Sequence, residues 1–206
     1  MTTNSFEHRR NQNRMILVAL LAVALLPLVA AIVLKVTHWH PKRTINYGQL
    51  IKPAQPLRDV NIELRTGDKI RLSDLRPHWL MITFSRGACL GACAKNIYKM
   101  RQVHIAQGRH AQRVQRLLVV LPGEEHGEMA QMVRAYPNMK VVVGPLAEEQ
   151  DLARQLKTPD GDALRDPGWI YFIDPLGNYM MRYPPGADPS GIRRDLARLL
   201  RVSQIG

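Results

Sequence analysis

Cys89 and Cys93 are the two cysteines of this 206-residue chain, and three residues separate them. A disulfide-stapled secreted scaffold carries more cysteines in a shorter chain. A close pair on its own points instead to chemistry at the sulfurs. Once the chain turns at a helix start, two such Cα atoms can approach about 6 Å, within reach of a disulfide. Two soft sulfurs on a short loop can also hold Cu(I). The bland alternative is a pair of buried cysteines acting as small hydrophobes.

The flanking sequence bears on that choice. Trp79-Leu80-Met81-Ile82-Thr83-Phe84 is a near-continuous apolar run that predicts a buried strand. The loop from Ser85 carries Gly87, Cys89, Gly91 and Cys93, and a helix is expected from there to about Gln107, with Cys93, Ile97, Met100 and His104 on one face. A helix N-terminus carries about half a positive charge, which favours thiolate over thiol. Between Asp74 and Glu124 there is no acidic residue, whereas Arg76, Arg86, Lys95, Lys99, Arg101, Arg109, Arg113 and Arg116 all lie there. Loop position, glycines and basic surroundings favour reactive over merely packed cysteines.

The elements that must hold this loop follow a pattern. Asn61–Leu64 and Lys69–Leu72 flank Arg65-Thr66-Gly67-Asp68 as a hairpin. Strands are expected at 114–121 and 140–144, and helices at 124–136 and 147–156. Residues 168–174 and 179–183 form a late hairpin across Pro175-Leu176-Gly177-Asn178, and 189–202 a final amphipathic helix. Strands alternating with helices predict an α/β domain with a mostly parallel sheet.

Ahead of this domain, Met15–Leu34 has no charge and no strongly polar side chain. Twenty residues of helix span about 30 Å, the thickness of a hydrocarbon core. Pro27 is tolerable in such a helix, and Trp39 suits the interface. The apolar region of a cleaved signal peptide is shorter, about 7–15 residues, so an anchor is expected. The parts are then a cytoplasmic tail (1–14), a transmembrane anchor (15–34), a linker (35–57) and a soluble domain (58–206). The formal net charge of +12 divides into +5 for residues 1–43 and +7 for residues 44–206. Acidic partners or anionic headgroups are attracted by such a balance; no nucleic-acid partner is expected.

Two motifs resemble the Sco/SenC family of thioredoxin-like proteins. One is Ile82-Thr83-Phe84-Ser85-Arg86-Gly87-Ala88-Cys89-Leu90-Gly91-Ala92-Cys93, a buried strand running into a Cys-x-x-x-Cys loop. The other is Ile170-Tyr171-Phe172-Ile173-Asp174-Pro175-Leu176-Gly177, a late strand ending in an Ile-Asp-Pro-x-Gly turn. The resemblance implies a thioredoxin-like domain behind one transmembrane helix, in the bacterial inner membrane, with the C-terminal domain facing the periplasm. It implies thiol–disulfide exchange or copper handling at Cys89 and Cys93. The implied partner is the cytochrome c oxidase subunit that carries the dinuclear copper site. The match breaks where the family has its third copper ligand, a histidine eight residues before the turn's aspartate: here that position is Asp166. Leu90 also replaces the family's proline. A carboxylate is a hard ligand, poorly suited to Cu(I).

No other residue obviously replaces that histidine. His104 lies eleven residues beyond Cys93, about 16 Å along the helix, and His78 precedes the strand at its far end. His126 opens the next helix, and His38 and His40 flank Trp39 beside the membrane. Pro167 is read as turn chemistry. Met180 and Met181 alternate across a strand, so one is core. Two other function classes remain open: a non-catalytic, membrane-tethered docking module with a structural disulfide, and a general periplasmic thiol reductase unconnected with copper.

Overall fold

The structure, a computed structural model, describes residues 3–37, 45–87, 89–122, 134–144, 146–166 and 168–203. They form two compact units, 1–45 and 46–206. The first is a single helix, α1 (Thr3–Val36), which includes Pro27. Its segment Arg14–Val36 is long and apolar enough to cross a membrane.

The second unit is built on an eight-stranded sheet. The strands are β1 (Gln49–Pro56), β2 (Asn61–Leu64), β3 (Lys69–Arg71), β4 (Trp79–Arg86), β5 (Val114–Leu121), β6 (Met139–Gly144), β9 (Ile170–Ile173) and β10 (Asn178–Tyr183). Their spatial order is β1-β10-β9-β4-β5-β6-β2-β3. A separate two-stranded ribbon, β7 (Lys157–Thr158) and β8 (Gly161–Asp162), was not expected from the sequence. The helices are α2 (Ala92–Ile105), α3 (Leu146–Gln155) and α4 (Pro189–Val202). Most of the helix expected at 124–136 falls outside the described residues.

Two expectations need correction. The sheet is mixed: β4, β5 and β6 run parallel, and every other pairing in it is antiparallel. The early hairpin joins the sheet beside β6, and the late hairpin joins beside β4. The stretch read as linker, 35–57, is linker only in part. Residues 49–56 are the edge strand β1, paired with β10. Pro53 and Pro56 suggested irregular chain, but an edge strand accommodates proline because one row of its N–H groups needs no ladder partner.

The central strands bury both faces, which explains their near-continuous apolar sequence. Leu80, Ile82 and Phe84 of β4 and Leu117, Val119 and Leu121 of β5 enter one core, with Leu152 and Ala153 of α3. The alternate residues Trp79, Met81 and Val114 enter the opposite core, with Met100 and Val103 of α2 and Ile192, Leu196 and Leu200 of α4. This is the two-residue period of a strand. The late turn is set by Asp174, whose carboxylate accepts the Leu176 N–H (2.9 Å), the Asn178 N–H (2.8 Å) and the Asn178 side-chain amide (2.8 Å). Gly177 supplies the positive φ of 90° that the turn needs. Met181 is core and Met180 partly buried, as the alternation predicted.

One buried acid has a measurable consequence. Glu149 of α3 is 2% exposed, and its Oε1 has no hydrogen-bond partner among the described residues. Burial raises its pKa to about 7. The folded state therefore holds this proton more tightly than the unfolded chain between about pH 4.5 and 7. Stability should fall as pH rises through that window and level off above it. Urea unfolding across pH 5–8 should show a loss of about 2–3 kcal/mol from this group, and Glu149→Gln should remove that slope. An unchanged slope in the variant would assign it elsewhere.

Candidate functional site

Strand β4 ends at Arg86, at the edge where the parallel strands terminate, and the cysteine loop follows at once. Gly91 caps α2 with φ 55° and ψ −113°, a conformation that side chains other than hydrogen rarely adopt. A Cβ on Gly91 would meet nothing within 4 Å, so it is the backbone angle that calls for glycine. The turn places Cys89 just before the helix and Cys93 in its first turn. Their Cα atoms are 5.1 Å apart, and the sulfurs are joined in a disulfide.

Both cysteines are buried, at 4% and 8% exposure. They pack with Ile97, Leu118, Met139 and Val141. The expectation of a partly exposed, electropositive pair is thus only half met. The helix start is there, but the pair sits in an apolar cluster, and Leu90, between the two cysteines in the chain, is exposed instead. Arg86 turns its guanidinium to the Leu164 carbonyl, and Lys95 is exposed.

A small polar knot holds the next segment against this helix. Asn96, one turn beyond Cys93 and 2% exposed, donates its amide to the Gly168 carbonyl (2.9 Å) and to Thr83 Oγ1 (3.4 Å). Thr83 in turn donates its hydroxyl to the Trp169 carbonyl (3.0 Å). These bonds join β4, α2 and the entry to β9. Sequence reasoning missed both residues, although each left a signal. Thr83 is polar within a buried strand, and Asn96 is polar on the apolar face of α2; buried polar groups need partners.

Asp166, at the position of the family histidine, accepts a hydrogen bond from the Trp169 indole N–H. Its backbone carbonyl accepts one from the Tyr171 hydroxyl (3.4 Å). Among the described residues, no three His, Cys, Asp or Glu side chains are grouped to hold a metal ion. Two mutually bonded sulfurs and a hard carboxylate engaged by an indole do not fit a three-donor Cu(I) site. Among the described residues, neither His104 nor His78 is placed as a substitute. His104 lies 3.1 Å from the Val114 carbonyl, its pKa lowered by burial and then by nearby Arg116. His78 lies 3.2 Å from the Leu75 carbonyl. His38, His40, His126 and Pro167 lie outside the described residues.

A sheet flanked by helices on both faces, with a cysteine pair at the start of the helix after a central strand, defines a thioredoxin-like protein. The model of the transmembrane-like, thioredoxin-like, C-terminal domain family matches residues 79–203, and the chain belongs to that family. A sequence search of curated proteins finds no match. Among solved structures, the chain is similar to copper-bound ScoI of Bradyrhizobium japonicum. The TM-score is 0.55 at 18% identity, over 70% of this chain and 99% of that one. It is similar to BsSco, described as a member of the Sco family of cytochrome c oxidase assembly proteins with a disulfide switch. There the TM-score is 0.56 at 15% identity, over 75% and 99% of the two chains. It is also similar to the thioredoxin domain of a thiol-disulfide oxidoreductase from Bacteroides vulgatus, with TM-score 0.53 and 12% identity over 71% and 96%. At these identities the likeness is one of fold.

Proposed function

We propose that this chain is a membrane-anchored, Sco-like thiol–disulfide oxidoreductase that assists cytochrome c oxidase assembly. In this reading α1 anchors it in the bacterial inner membrane with the thioredoxin-like domain in the periplasm. Its target is the cysteine pair of the oxidase subunit that carries the dinuclear copper site. The disulfide spanning the start of α2 is the observation that carries the reading. It is supported by neighbours described as an oxidoreductase and as a Sco protein with a disulfide switch.

The chemistry uses this chain's two sulfurs alone. In the reduced protein, the Cys89 thiolate on the loop attacks one sulfur of the partner's disulfide. The partner's other sulfur leaves as thiolate and takes up a proton. Cys93, held in the first turn of α2, loses its proton and attacks the Cys89 sulfur of the mixed disulfide. The second partner sulfur leaves and is protonated. Two electrons pass to the partner, and the product is the Cys89–Cys93 disulfide seen here. Positive charge at the helix start favours the thiolate forms, while the apolar packing opposes them. Loop movement that exposes Cys89 would relieve that opposition.

The burial of both sulfurs favours a second reading, a docking module whose disulfide is structural. The two differ in covalent capture. Full-length Cys93→Ser should form a reductant-sensitive mixed disulfide through Cys89 with a membrane subunit. The Cys89→Ser/Cys93→Ser variant should form none. Oxidase assembly undiminished in the double variant would exclude thiol chemistry from assembly and favour the docking reading over thiol exchange with the oxidase.

Copper handling is the third possibility, suggested by the copper-bound neighbour. With the reduced full-length protein, a competition titration should find Cu(I) bound more tightly by Asp166→His than by wild type. A gain on the order of tenfold is expected, the scale of a change around a metal's ligands. No gain would mean that residue 166 does not reach the sulfurs.

A further inference from the structure

Helix α4 is amphipathic and basic. Its buried face carries Ile192, Leu196 and Leu200, together with Asp195, the one acid in the helix. Its exposed face carries Arg193, Arg194, Arg198 and Arg201. At 100° per residue these four fall within a sector of about 140°. The apolar face is spent on the domain core, so it is the four arginines that face outward, a concentration of positive charge that attracts an anionic partner.

The chain arriving from the anchor is fastened to this same helix. The N–H groups of Tyr47 and Gly48 donate to the buried Asp195 carboxylate at 2.8 and 2.9 Å, and the Tyr183 hydroxyl donates to it at 3.0 Å. The Tyr47 ring lies so close to Gly191 that a Cβ there would meet it at 2.7 Å. The Arg194 guanidinium also lies over this ring, 5.5 Å from its centre. Arg113 closes the far end of α4, donating to the carbonyls of Leu200 and Ser203 at 2.7 Å each. Ten residues separate Val36, the last of α1, from Tyr47, a tether of at most about 35–40 Å. A short tether keeps whatever it is fastened to at high effective concentration near the bilayer.

We infer that the arginine face of α4 is a second membrane contact, binding anionic phospholipid headgroups of the bilayer that holds the chain's own anchor. Charge complementarity calls for an anionic partner, and the tether selects the bilayer over an acidic protein, which would have to arrive by diffusion. The contact rests on the reading of α1 as a membrane anchor and not on the redox reading.

The test uses the full-length protein in nanodiscs of phosphatidylcholine alone or mixed with phosphatidylglycerol. Arginine-specific modification by phenylglyoxal is read by mass spectrometry. Arg193 and Arg201 should react several-fold more slowly in the anionic discs, about fivefold for each basic group at the surface. High salt should abolish the difference. Arg65, exposed on the β2–β3 turn, is the internal control and should react alike in both discs. In Arg193→Gln/Arg201→Gln, the protection of Arg198 should weaken. Equal rates in both lipids, or protection of Arg65 to the same extent, would overturn the inference and leave the face to an acidic protein.

Discussion

Seven of the eight residues of β4 are buried, with apolar side chains packed into cores on both faces of the sheet. That double burial is the constraint on which the site depends. It fixes β4 between β5 and β9, and it brings the chain to a full stop at Arg86, where the cysteine loop begins. Thr83 and Ser85 are the polar exceptions among its buried residues, and Thr83 is satisfied because Asn96 and the Trp169 carbonyl meet it. The same three-way contact sets the first turns of α2 against the entry to β9. Cys93 is therefore held by a rigid strand, a helix and a hydrogen-bonded loop together.

Much of this was legible in the residues. The apolar run at 79–84 gave the central strand, and the glycines around the cysteines marked the turn into α2. The Asp174-Pro175-Leu176-Gly177 sequence located the late hairpin almost to the residue. What was not legible came from long-range pairing. Nothing local to residues 49–56 says that they pair with β10, and their prolines argued for irregular chain. Nothing in the early hairpin says that it joins beside β6. At the site, the strand–loop–helix order predicted the disulfide's place but not its burial. Ile97, Leu118, Met139 and Val141 come from three elements, and their closure over the sulfurs is a tertiary fact.

The site combines opposing influences on the sulfurs. The helix start and the acid-free stretch favour thiolate, while apolar packing favours the uncharged disulfide. A pair in that balance suits cycling between two states better than permanent display of either. The donor set bears on copper in a different way. Asp166 stands where the family resemblance calls for an imidazole nitrogen donor, and its carboxylate is engaged by Trp169. Thiol exchange needs nothing from residue 166, so the proposed chemistry belongs to the two sulfurs alone.

That placement rests on the disulfide being reversible under physiological poise. The direct measurement is its midpoint potential in the full-length protein, by equilibration with glutathione or dithiothreitol buffers and quantitative alkylation. Exchange catalysts lie between about −120 and −270 mV, and structural disulfides typically lie below about −300 mV. The account predicts a two-electron midpoint within the catalysts' range. A value below about −300 mV would contradict it and mark Cys89–Cys93 as a structural clasp.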